Sequence, residues 1–110
     1  MEKVNYISVS GDEAKKMMDS MDDYIILDVR SLEEYDDFHI ENAILIPDYE
    51  IEVKAPSILL DKNKAIFVYC RSGRRSKTAS KQLAKMGYTN VIEFGGVINW
   101  HYGFVTEQED

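Results

Sequence analysis

The stretch Ala65-Ile66-Phe67-Val68-Tyr69 runs without a polar break into Cys70 and then into Arg71-Ser72-Gly73-Arg74-Arg75-Ser76. An unbroken run of β-branched and aromatic residues bounded by turn chemistry predicts a strand buried on both faces, as occurs where helices cover a parallel sheet. The residues after Cys70 predict a tight loop, with Gly73 free to take backbone angles other residues avoid. The loop leads into a helix whose periodic face is Ala79, Leu83 and Met86 and whose end is Gly87. Strand, loop and helix in that order put the loop at the carboxyl end of a sheet, where backbone N–H groups face outward and ligands collect. Cys70 stands at that point.

The rest of the chain alternates in the same way. Ile7 and Val9 read as a short edge strand, and Ser10-Gly11-Asp12 opens a helix through Met21. Met17, Met18 and Met21 form a packing face for that helix, not a cofactor site. Asp22-Asp23 is a turn, and Tyr24 to Val29 a second buried strand. Ser31 caps a short helix with Glu33 and Glu34 in its first turn, where the helix dipole favours negative charge. Ala43 to Ile46 is a short strand stopped by Pro47. Between 48 and 60 there is no clear period, and Pro56 is expected to open a short helix through Ile58-Leu59-Leu60. Val91-Ile92 is a last short strand, Gly95-Gly96 a turn and Val97 to Trp100 one helical turn. Strands alternating with helices predict an α/β fold with a mostly parallel sheet. One domain is expected over 1–104, with 105–110 a fraying tail.

Composition narrows the functional classes. A chain of 110 residues, 45% hydrophobic and 30% charged, suits one globular core and leaves no room for a second. No apolar run approaches the roughly 18 to 20 residues of a membrane helix. The net charge of -7 argues against general nucleic-acid binding. One cysteine can form neither an internal disulfide nor a cysteine-rich metal site. The segment Met1-Glu2-Lys3-Val4-Asn5-Tyr6 lacks the basic start and apolar stretch of a secretory signal. A cytoplasmic protein is expected, with no membrane or nucleic-acid partner and no metal or organic cofactor.

The charge is unevenly spread. From Lys62 to Ile92 there are eight basic residues and no acidic one, while the remainder holds all 20 acids and five bases. Cys70 lies inside that basic segment. Loop amides forming an anion nest, a helix N-terminus, and the charges of Arg71, Arg74 and Arg75 all favour thiolate over thiol. An inert core thiol would sit badly among three arginines, because buried charge needs a partner.

The loop Cys70-Arg71-Ser72-Gly73-Arg74-Arg75-Ser76 resembles the active-site loop of rhodanese-like domains. Other landmarks of that family occur in order: Asp28-Val29-Arg30 with Glu34-Tyr35, then His39-Ile40 with Ala43 through Ile46-Pro47, then Leu83, Gly87-Tyr88, Asn90-Val91, Gly95-Gly96 and Trp100. Where the family has glycine before His-Ile and before Ala, this chain has Phe38 and Asn42; asparagine tolerates left-handed backbone. The resemblance implies a rhodanese-like fold, a five-stranded, mostly parallel sheet with helices on both faces. It also implies a sulfurtransferase in which Cys70 takes a sulfane sulfur from an anionic donor such as thiosulfate. The sulfur then passes to cyanide, a thiol or a partner protein. In that reading the amides and side chains of Arg71, Ser72, Gly73, Arg74, Arg75 and Ser76 bind the substrate, with Arg75 and Arg71 the first choices for facing the pocket. Asp28, Arg30 and His39 brace the site.

Two rivals share the fold. Cysteine-dependent phosphatases have a loop of Cys, five residues and Arg; here the loop-ending arginine is Arg75, after four intervening residues, and Ser76 holds the position a phosphatase needs. A persulfide carrier or binding module without turnover is the other.

Overall fold

The computed structural model describes residues 5–106. Its elements are β1 (Tyr6–Ser8), α1 (Gly11–Asp19), β2 (Ile25–Asp28), α2 (Leu32–Asp37), β3 (Ile44–Leu45), α3 (Ile51–Ile58), β4 (Ile66–Cys70), α4 (Arg74–Lys85) and β5 (Val91–Gly96). The strands form one five-stranded sheet in the order β1-β5-β4-β2-β3, and every pairing is parallel. The architecture is the expected α/β one, a five-stranded sheet with β4 at the centre and β1 at an edge.

Successive residues of β4 point to opposite faces, so its apolar run divides between two cores. Ile66, Val68 and Cys70 face Ala55, Leu59, Ala79 and Leu83, which places α3 and α4 on that side. Phe67 and Tyr69 face Ala14, Met18, Phe94 and Trp100, with α1 on the other. Both α1 and α2 begin with a reciprocal capping box: Ser10 with Glu13, and Ser31 with Glu34.

Three local expectations are corrected. Pro56 does not open a helix but lies inside α3, which starts at Ile51 because Ile51, Ala55 and Leu59 are buried at four-residue spacing. Gly95-Gly96 is not a turn but the end of β5, which runs six residues. Val68 pairs with Glu93 and Cys70 with Gly96, so β5 carries one extra residue there, a bulge that Gly95 accommodates at φ +85°. The tail is held further along than expected: Val105 pairs with His39 through two backbone bonds of 2.9 and 2.8 Å, and the Thr106 hydroxyl donates to the Asp36 carbonyl at 3.3 Å. Residues 107–110 of the expected tail lie outside the described residues. Asn42 has φ +72°, the left-handed backbone that asparagine accepts more readily than most residues.

Candidate active site

Cys70 ends β4 on the face covered by α4, and the chain reverses over its side chain through Arg71, Ser72 and Gly73. Gly73 takes φ +114° as the residue before α4. That geometry turns its N–H onto the Cys70 Sγ at 3.0 Å, and the Ser76 N–H joins it at 3.3 Å. Both come from the start of α4, where backbone donors lack helical partners and the dipole favours negative charge. The sulfur is covered, with Cys70 1% exposed, yet polar atoms surround it: the Ser76 Oγ at 3.5 Å and the Gly95 carbonyl at 3.8 Å.

The predicted loop residues separate by role. The amides of Gly73 and Ser76 reach the sulfur, while Arg71, Ser72 and Arg74 are exposed. Among the described residues neither Arg71 nor Arg74 has an ion-pair partner. Arg75 is turned to α2, where its guanidinium donates to both carboxylate oxygens of Glu34 at 2.7 and 3.0 Å. The Glu34 bond holds Arg75 above its ordinary pKa, with Cys70 a smaller contributor. A cleft of about 460 Å³ opens beside the loop, lined by Arg30, Glu34, Phe38, Arg71, Ile98 and Phe104 among others.

Arg75 also sets the ionisation of Glu34. The bond from the guanidinium holds the carboxyl at about 2, below its ordinary 4.5, with the Ser31 amide and hydroxyl adding to the effect. Because the folded value is the lower one, the pair stabilises the fold above pH 4.5 and loses that contribution as pH falls toward 2. Both side chains are about a third exposed, so solvent screens the pair. Glu34→Gln is expected to flatten part of the acid limb of stability across that window, measured as denaturant midpoints at stepped pH. Parallel curves for the two proteins would show that the pair contributes nothing.

The three residues expected to brace the site, Asp28, Arg30 and His39, are buried. Asp28 and Arg30 form a buried pair at 2.7 Å, with the Tyr69 hydroxyl donating to Asp28 at 2.7 Å and accepting from the Ile40 amide at 3.0 Å. Burial, then the Asp28 charge, pushes the Tyr69 hydroxyl up, so it stays a donor. Arg30 also donates to the Phe38 carbonyl and lies 5.3 Å from the Phe38 ring, which packs on Phe104. His39 is buried, its ring stacked on Tyr35 at 3.7 Å and its Nδ1 2.8 Å from the Tyr35 carbonyl.

Three site residues are not legible as such in the sequence. Glu34 reads there as a helix-start acid and as part of a family landmark, with nothing that pairs it to Arg75. Glu93 is 1% exposed beneath the loop, and its signal is an acid inside Val91-Ile92-Glu93-Phe94. Gly96 is the third: its backbone is extended, which any residue accepts, but a Cβ would collide with the Arg71 carbonyl and lie 2.6 Å from the Cys70 carbonyl. Since those contacts are backbone, Gly96→Ala is expected to displace the loop and cost roughly 1–3 kcal/mol. Denaturation and the rate of Cys70 modification check this; unchanged values for both would show that the loop yields without penalty.

A family model described as a rhodanese-like domain matches residues 10–102. The chain is 41% identical over 71 residues to the thiosulfate sulfurtransferase PspE of Escherichia coli K12, covering 64% of this chain and 68% of that protein. It is 38% identical over 93 residues to YrkF of Bacillus subtilis 168, named a candidate sulfur carrier protein; the match covers 84% of this chain but only 49% of YrkF, so the chain spans about half that relative's length. A solved rhodanese from E. coli with anions superposes with a TM-score of 0.72 at 36% identity, covering 76% of this chain and 99% of that one.

Proposed function

The chain belongs to the rhodanese-like domain family, and from that premise we propose that it is a sulfurtransferase whose Cys70 carries the transferred sulfur as a persulfide. The observation that carries this reading is the convergence of the Gly73 and Ser76 N–H groups on the Sγ, at 3.0 and 3.3 Å. Two fixed donors aimed at a sulfur suit an anion on that atom. The Cys70 thiolate attacks the outer sulfur of a donor such as thiosulfate; a new S–S bond forms, the old one breaks, and sulfite leaves with the electron pair. In the second half an outside nucleophile, cyanide or a thiol, attacks the terminal sulfur and returns Cys70 as thiolate. No second cysteine is required.

Substrate entry fits the charges at the mouth. Thiosulfate is a dianion, and Arg71 and Arg74 offer cations that no carboxylate occupies among the described residues. Arg75, tied to Glu34, fixes the start of α4 against α2 and adds positive potential without being free to swing. A lone thiol keeps its activity best in a reducing compartment, which suits a cytoplasmic protein.

The test is intact mass. Incubation with thiosulfate is expected to add one sulfur atom to Cys70, removed by cyanide with release of thiocyanate. No gain in mass, together with efficient hydrolysis of a phosphotyrosine analogue, would overturn the assignment. A second reading, a persulfide carrier serving one partner protein, draws on the likeness to YrkF and on the covered sulfur. Its signature is full loading with slow turnover to cyanide.

A further inference from the structure

Glu93 is a buried carboxylate that neither half of the sulfur transfer uses. Its strand partner across the sheet is Val68, so it faces α4, on the same side as Cys70. Its Oε2 accepts the Ser76 hydroxyl at 2.8 Å and the Gly95 amide at 2.6 Å, and its Oε1 accepts the Ser8 hydroxyl at 2.8 Å. The cation facing it is Lys77 on α4, with Nζ 3.8 Å from Oε1 and a half-exposed side chain. From β1 it meets Ser8, and from the end of β4 the Cys70 sulfur lies on the far side of Ser76.

Ser76 is the link. A hydroxyl owns one proton, and four acceptors stand around the Ser76 Oγ: Glu93 Oε2 at 2.8 Å, the Gly73 carbonyl at 3.0 Å, the Gly95 carbonyl at 3.2 Å and the Cys70 Sγ at 3.5 Å. While Glu93 is ionised, charge and distance give it that proton. The Oγ then shows a lone pair to the sulfur and receives the S–H of a thiol. Once Glu93 carries a proton, its own O–H donates to the Oγ, and the Ser76 hydroxyl turns to the sulfur as a third donor beside the Gly73 and Ser76 amides.

We propose that Glu93 is a positioning residue for Cys70, holding the proton that the thiol gives up and receiving it through the Ser76 hydroxyl. The S–H bond of Cys70 breaks and its proton joins the Ser76 Oγ, while the Ser76 proton passes to Glu93 Oε2. Thiol and carboxylate become thiolate and carboxylic acid, with atoms and net charge unchanged. At no stage do two adjacent anions have to share one donor. The proposal rests on Cys70 as the reacting group, not on the identity of the sulfur donor.

The experiment follows Cys70 alkylation by iodoacetamide against pH in the wild type, Glu93→Gln, Ser76→Ala and the double variant. Glu93→Gln is expected to replace a profile with a pH-independent shoulder on its acid side by a single titration step, because Cys70 then ionises only by releasing its proton to solvent. In the Ser76→Ala background the same change is expected to lose at least half its effect. An unchanged profile in folded Glu93→Gln protein would reduce Glu93 to a structural part, and an equal change without the hydroxyl would remove Ser76 from the path. Should Glu93→Gln fail to fold, carbon NMR of the native protein decides: the Glu93 carboxyl signal is expected to be that of the acid while Cys70 is a thiolate and to move to that of the carboxylate once Cys70 is alkylated. A signal blind to Cys70 overturns the proposal. Alkylation does not involve sulfur donors, so failure of mass loading by thiosulfate would sink the transfer reading separately.

Discussion

Cys70→Ser is expected to abolish sulfur loading and to lower transfer by a factor of roughly 10⁴ or more, the scale on which loss of a covalent nucleophile is felt. Serine nearly preserves the shape of the side chain, and its oxygen can still accept from the Gly73 and Ser76 amides that now reach the sulfur at 3.0 and 3.3 Å. Stability should therefore stay near that of the parent while chemistry disappears. What is lost is a polarisable atom able to form and release an S–S bond. Intact mass after thiosulfate treatment and thiocyanate release with cyanide measure the two halves. A serine variant that still released thiocyanate at a tenth of the parent rate would move the sulfur-carrying atom away from residue 70.

Asp28→Ala is expected to be the most destabilising single truncation, at about 3–5 kcal/mol, because it strands a buried guanidinium. Arg30 is 2% exposed, and burial by itself disfavours its charge; Asp28 holds that charge in place with three side-chain bonds of 3.0, 3.1 and 2.7 Å. The Tyr69 hydroxyl would lose its acceptor as well. Against a total stability of about 5–15 kcal/mol for an ordinary domain, such a loss leaves a large unfolded fraction. Denaturant unfolding measures it. Removing both charges together, with apolar residues of similar volume, should recover much of the loss; a double replacement as unstable as Asp28→Ala would mean that the cost lies in packing and not in stranded charge.

Most of the frame is legible because its signals are local. The apolar run before Cys70, the serines ahead of α1 and α2, and the periodic face of α4 each report on residues within one or two turns of themselves. Ser31 illustrates how far that goes: its cap is readable, but Glu34, its capping partner, also serves Arg75 forty-one positions later, and no spacing announces that pairing. The same limit applies to Glu93, which an alternation rule treats as a solvent-facing acid until Ser76, Gly95 and Ser8 arrive from three directions. In α3 the burial signal is present in Ile51, Ala55 and Leu59, yet Pro56, which lies inside the helix and supplies it no N–H, masks it. The Gly95-Gly96 pair reads as a turn in most chains, and only the register with Cys70 reveals one as a bulge and the other as the space beneath Arg71.

The strand order also governs assembly during synthesis. Of the five strands described, β1 leaves the ribosome first, but its neighbour in the sheet is β5, the last of the five to emerge, with Tyr6 matched to Val91 and the Ser8 hydroxyl bonded to Glu93. β2, β3 and β4 can associate while translation continues; β1 must wait unpaired until some eighty further residues are made. Nascent chains halted before β5 should accordingly leave Cys70 open to thiol reagents, since Gly96 and Glu93 are still missing from beneath it. Acquisition of a shielded sulfur thus becomes a late event, coupled to arrival of the final strand.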